Sequence, residues 1–154
     1  MKNILFLCTG NSARSIMAEA YMNHAGGGEW RAYSAGSKPT GTPNPFAIKT
    51  LEDHQIDAAE VGDTPRSKSW DEFAENSAPI MDVVVTVCDN AAGETCPVWP
   101  RKNGQDLVTL HWSFPDPAAA QGDDELISAA FEEVFSSIRA ALDDFLADQQ
   151  GAKR

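Results

Sequence analysis

The chain's 154 residues suffice for one domain of ordinary size spanning 1–154, with a continuous core, and are too few for two. With 42% hydrophobic and 23% charged residues, the composition is that of a globular chain and excludes disorder over the whole length. The 23 Asp and Glu against 12 Lys and Arg give a formal charge of −11, which excludes nucleic-acid and anionic-membrane partners and, at face value, disfavours an anionic substrate.

Residues 2–7 form an apolar run bounded by Gly10 and Asn11, which predicts a buried strand. The run is too short for a signal-peptide core or a membrane span, so a cytoplasmic location is expected. Across 12–25, Ile16, Met17, Ala20 and Tyr21 recur at helical spacing, and the glycines at 26–28 end the helix. A second strand is expected over 30–35, a turn-rich loop over 38–45 and a proline-started helix over 45–54. A short helix follows over 69–76, then a β-branched run at 82–88 typical of a central parallel strand. Residues 89–106 read as a long loop, 107–112 as a fourth strand, and 123–148 as a long amphipathic helix. Its apolar stripe runs from Leu126 and Ile127 to Phe145.

That last helix carries Asp123, Asp124, Glu125, Glu132, Glu133, Asp143, Asp144 and Asp148 against Arg139 alone, or seven of the eleven net negative charges. The acidity therefore belongs largely to one solvated element, and a small oxyanion remains an admissible substrate. Strands alternating with helices predict an α/β fold of three layers, with a four-stranded, mainly parallel sheet between helices. Sites in such sheets lie at the carboxyl ends of the strands. Cys8, Cys88 and the segment 111–116 all fall there.

Between the first strand and the first helix runs Cys8-Thr9-Gly10-Asn11-Ser12-Ala13-Arg14-Ser15. A loop that wraps into a helix N-terminus directs the backbone N–H groups of residues 9–13 at one point, where the helix dipole adds positive potential. A cysteine at the centre is favoured as a thiolate nucleophile. Arg14 can fork onto two oxygens of a tetrahedral oxyanion. Gly10 permits close backbone approach, and the Ser12 and Ser15 hydroxyls can donate to the thiolate or cap the helix. The competing reading is a buried structural cysteine before a capped helix. Three cysteines are too few for a disulfide scaffold and leave at least one thiol free.

The string Cys8 to Ser15 resembles the phosphate loop of the low-molecular-weight protein tyrosine phosphatases and of the arsenate reductases that share their fold. Either implies a four-stranded parallel sheet flanked by helices, Cys8 as nucleophile, and the Asp116-Pro117 step as the place of the general acid. The phosphatases usually continue with tyrosine after this step, whereas this chain continues Ala118-Ala119-Ala120 and is similar to the reductases. Their chemistry implies that Cys88 attacks Cys8 once arsenic is bound, and that Cys96 then carries the disulfide to the surface. The interval from Cys88 to Cys96 is one residue longer than in thioredoxin-coupled members. Thioredoxin therefore stands beside glutaredoxin with a low-molecular-weight thiol, glutathione or mycothiol, as the implied reductant.

No tightly bound cofactor is implied, although Asn11, Glu19 and Ser34 match a potassium site found in some reductases, with Asp71 as a candidate further carboxylate. The alternative is that Asn11 braces the loop and Glu19 is a surface residue. Cys88, Cys96 and His111 lack the Cys-x-x-Cys pairing of a structural zinc site. Trp30, Trp70, Trp99 and Trp112 read as packing residues, His24 and His54 as ordinary helix residues, and His111 as a packed histidine. A phosphatase, and a non-catalytic oxyanion-binding regulator that kept the cradle, are the two alternatives to a reductase.

Overall fold

The computed structural model describes residues 2–26, 28–56, 67–73, 80–87, 108–117 and 120–152. Four strands, β1 (Lys2–Cys8), β2 (Trp30–Gly36), β3 (Val83–Thr86) and β4 (Val108–His111), pair in the order β2-β1-β3-β4, all parallel. The helices are α1 (Arg14–Ala25), α2 (Pro45–Asp53) and α3 (Asp124–Ala152), with a 3-10 turn at Trp70–Phe73. The expected four-stranded sheet is therefore present.

Alternation along β1 explains how the sheet gains two buried faces. Ile4, Phe6 and Cys8 enter one apolar cluster and Leu5 and Leu7 the other, because successive side chains leave a strand on opposite sides. The larger cluster takes Met17 and Tyr21 from α1, Leu51 from α2 and Phe131, Phe135, Ile138 and Leu142 from α3. Against the smaller face stand Phe73 and Trp70 of the 3-10 turn, with Tyr33 and Met81. A β1 buried on both faces is why its sequence is continuously apolar rather than alternating.

Most element bounds shift by one or two residues from the sequence expectation, as helix and strand ends commonly do. Helix α1 begins at Arg14, not Ser12, because residues 11–13 are still loop. The expected helix over 69–76 is a 3-10 turn as far as Phe73, with the remainder outside the described residues. Leu126, at the start of the α3 stripe, is 60% exposed. It folds back over Gly122, whose φ of 132° and missing side chain make the room. All eight acids of 123–148 are exposed, as a solvated face requires.

The sheet order sets the place of the site. From β1 the chain crosses to β2 on one side, and β3 then pairs on the other side of β1. The strand order thus reverses between β1 and β3, and α/β sheets bind ligands at the carboxyl end of such a reversal. Among the described residues, no helix is long and apolar enough to cross a membrane.

Candidate active site

Cys8 is the last residue of β1 and is almost fully buried. The chain then bends into the loop 9–13, and its neighbours dictate which way each peptide faces. The carbonyls of Thr9, Gly10 and Ser12 accept from the N–H groups of Lys38, Thr40 and Asn44 at 2.9, 3.0 and 2.7 Å. In a planar trans peptide the C=O and the following N–H point in opposite directions. The amides of Gly10, Asn11 and Ala13 are therefore directed away from the flanking 38–44 segment, toward the inside of the ring. Asn11 N–H reaches Cys8 Sγ at 3.2 Å.

Backbone shape depends on two residues. Asn11 takes φ 45°, a left-handed conformation that Asn tolerates better than most residues. At Gly36, opposite Cys8 in the β1–β2 ladder, a Cβ would lie 2.5 Å from Thr9 O and 3.0 Å from Cys8 O. A Cβ at Gly10 would meet Thr40 Cγ2 at 3.4 Å and Ser12 Oγ at 3.7 Å, so the tight protein contact in this loop is at Gly36. The helix start is also held differently from the expectation. Ala13 occupies the position before α1 and no side chain caps it, so Ser12 is not a cap.

Ser15 Oγ lies 2.9 Å from Cys8 Sγ and accepts a hydrogen bond from Asn11 Nδ2 at 2.8 Å. A hydroxyl has one proton to give. With Asn11 donating to the oxygen, that proton is available to the sulfur, so Ser15 O–H and Asn11 N–H are two donors facing the Cys8 sulfur. Donors so placed can stabilise negative charge developing at this point.

Arg14 is 5% exposed, and its Nη1 donates to Phe114 O at 3.1 Å. Its Nη2 stands 3.9 Å from Asp116 Oδ2. One guanidinium thus joins the cradle to the expected acid, which at 39% exposure remains open to solvent. His111 is exposed rather than packed, with Nδ1 2.7 Å from Thr86 Oγ1 at the carboxyl ends of β3 and β4. Thr86 pairs with Leu7, and Val87 N donates to Leu7 O at 2.8 Å. The ladder therefore runs to the residue before Cys88, alongside the residue before Cys8. Cys88, Cys96, Trp99, Ala118 and Ala119 lie outside the described residues.

Comparison with known proteins places this arrangement. The family model described as low molecular weight phosphotyrosine protein phosphatase matches residues 3–153. The chain belongs to that family. Within it, the chain is 40% identical to an arsenate reductase of Bacillus subtilis and 38% identical to one of Halalkalibacterium halodurans, each over 144 residues and 94% of both chains. The crystal structure of an arsenate reductase from Archaeoglobus fulgidus superposes with a TM-score of 0.71 at 24% identity, covering 94% of this chain and 98% of that one. The phosphatase-like fold expected from the Cys8 loop is thus the fold of the family.

Other sequence expectations are also placed. Of Asn11, Glu19 and Ser34, the last two meet directly, with Ser34 Oγ donating to Glu19 Oε1 at 3.3 Å, whereas the Asn11 side chain bonds to Ser15 and to Lys68 N–H. Glu19 is 2% exposed, not a surface residue. Asp71 is exposed on the 3-10 turn. In its place comes a residue the sequence did not single out: Lys68, 2% exposed, with Nζ 3.7 Å from Glu19 Oε1 and its backbone N–H on Asn11 Oδ1 at 2.8 Å. No local signal marks a lysine between two serines as buried. Among the described residues, no cluster of three or more His, Cys, Asp or Glu could hold a metal ion. Trp30 packs edge-on to Phe145, and His54 ends α2 against Glu132 and Phe135 of α3 rather than serving as an ordinary helix residue.

Proposed function

We propose that this chain, acting as a single domain over 1–154, reduces arsenate to arsenite in arsenic detoxification. The observation that carries the reading is the Cys8 cradle in a chain 40% identical, over nearly its whole length, to an arsenate reductase. Arsenate is held by the amides of residues 9–13 and by Arg14. The Cys8 thiolate attacks arsenic and forms an S–As bond, and an oxygen leaves as water, taking a proton from Asp116.

Reduction then needs a second thiol. Cys88 as thiolate attacks Cys8 Sγ, so that a sulfur–sulfur bond forms and the S–As bond breaks. The bonding pair stays on arsenic, which leaves as arsenite, two electrons richer. The ladder that reaches Val87 beside Leu7 supports this step, since each neighbour precedes one of the cysteines. Cys96 next attacks Cys88, moves the disulfide to Cys88–Cys96 and frees Cys8. Thioredoxin, or glutaredoxin with glutathione or mycothiol, returns the two electrons. A reducing, cytoplasmic location suits such a relay. Potassium at Asn11, Glu19 and Ser34 enters no step here, because those groups already bond to one another, to Ser15 or to Lys68.

Thiol mapping by mass spectrometry after one equivalent of arsenate tests the reading. A reductase loses two protein thiols per arsenate as a Cys8–Cys88 or Cys88–Cys96 disulfide or, with glutathione or mycothiol added, one protein thiol as a mixed disulfide on Cys88. Unchanged thiols with fast aryl-phosphate turnover make the chain a phosphatase, with Cys8 as nucleophile and Asp116 as acid. Unchanged thiols with arsenate bound and nothing turned over make it a regulator. A Cys88→Ser variant separates the first two: arsenate reduction stops, while any aryl-phosphatase activity persists.

A further inference from the structure

Beneath the cradle, on the side away from the substrate, lies a buried pair of opposite charges. Glu19 sits one helical turn after Ser15, on the same side of α1, and is 2% exposed. An uncompensated carboxylate there would repel the anion the loop must hold. Lys68 meets it with Nζ at 3.7 Å, and both side chains are shut off from water.

The same lysine is tied to the loop by its backbone. Its N–H donates to Asn11 Oδ1, its C=O accepts from Gly36 N at 2.9 Å, and the neighbouring Ser67 Oγ donates to Gly10 O at 3.1 Å. Because Asn11 Oδ1 takes a backbone N–H, its Nδ2 must be the atom that faces Ser15 Oγ. A continuous chain of donors thus runs from Lys68 N–H through Asn11 and Ser15 to Cys8 Sγ.

These contacts also decide how the residues fit potassium. Asn11 Oδ1 and the Glu19 carboxylate, which an oxygen-seeking cation would need, already bond to Lys68, and Ser34 directs its proton to Glu19. An ammonium group carries the same charge as potassium and brings its own tether. We propose that Lys68 is a positioning residue whose ammonium group serves as a built-in monovalent cation beneath the Cys8 loop. It neutralises Glu19 and frees oxyanion binding from dependence on potassium. The proposal rests on the oxyanion-binding role of the loop and on no particular fate of the oxyanion.

The test compares the wild-type chain, Lys68→Ala, and Lys68→Ala/Glu19→Gln in potassium, ammonium and sodium chloride at equal ionic strength. Two readouts are taken: the arsenate KM and kcat, and the phosphate concentration that half-protects Cys8 from iodoacetamide. The wild type is expected to give the same values in all three salts. Lys68→Ala in sodium should raise KM and the protecting phosphate concentration about tenfold with kcat less affected. Potassium or ammonium should restore both, since truncation leaves room for either beside Glu19. The double variant, which carries neither charge, should bind the oxyanion better than Lys68→Ala in sodium and show no salt preference.

Potassium dependence in the wild type, or an unchanged KM and protection in Lys68→Ala, overturns the proposal. Should Lys68→Ala fail to fold, Lys68→Met/Glu19→Gln beside Lys68→Met gives the same comparison of one buried charge with none. Protection by phosphate needs no turnover. Salt-independent protection in a wild type that does not reduce arsenate would therefore sink the reductase reading and leave this one standing.

Discussion

The two segments that carry the site are held in opposite ways. In the Cys8 loop the carbonyls of Thr9, Gly10 and Ser12 are all bonded to one flanking segment, and Asn11, Arg14 and Ser15 are buried. Residues 112–116 run without regular structure, with Ser113 and Pro115 exposed, and are held by Trp112 N–H to Thr86 O, by buried Phe114 and by Arg14. The difference follows from what each must do. Donors that stabilise a developing oxyanion are effective only if they need no rearrangement when the charge appears. A proton donor has only to reach the leaving oxygen, and it changes partner in each turnover. Arg14 bridges the two through Phe114 O and Asp116.

Substitutions can break that contrast in order of effect. Cys8→Ser should lower arsenate turnover by about four orders of magnitude or more while leaving the thermal midpoint almost unchanged, because no other described group in the cradle can form the adduct. Arg14→Lys keeps the charge but loses the fork that spans Phe114 O and Asp116. It should lower kcat/KM about 10³-fold and speed proteolysis of 112–117, read by limited digestion. Asp116→Asn should lower kcat about 10²-fold with KM nearly constant, as the proposed role of proton donor to the leaving oxygen requires. A KM that rises as much as kcat falls would show that the acid segment helps to bind substrate, and the contrast would fail.

The smallest effect is a control outside both segments. Tyr21 of α1 donates to Asp143 of α3 at 2.6 Å. Burial, and then the hydrogen bond to Asp143, hold its phenol above the ordinary value of 10.0. A raised value means the folded state keeps its proton longer than the unfolded state does. This contribution to stability is therefore full below about pH 10 and is lost as pH rises from the unfolded value through the folded one. Tyr21→Phe should cost about 1 kcal/mol at pH 7, read as a urea midpoint, and should flatten the loss at high pH. Arsenate kcat and KM should not move.

Legibility in the sequence follows how local each feature is. The strand at 2–7, the loop and α1 were readable because hydrophobic periodicity, a breaker pair and the Cys–Arg interval all lie within about two dozen residues. The acidity of 123–148 was readable for the same reason, and every one of its acids is exposed. Gly36 was not recognised as the crowded position, because the atoms that crowd it belong to Thr9 and Cys8 on the neighbouring strand. The burial of Glu19 is not legible in the sequence, because its counter-charge Lys68 lies 49 positions away.

What the sequence by itself determined is the chemistry of the cradle. A cysteine, a run of backbone amides and an arginine within one loop carry their donors and charges wherever that loop is placed. Only the tertiary structure decided what lies beneath. Burying a carboxylate is tolerable only against a cation delivered with it, and Lys68 reaches Glu19 only once the segment 67–69 is laid beside Gly36 at the end of β2.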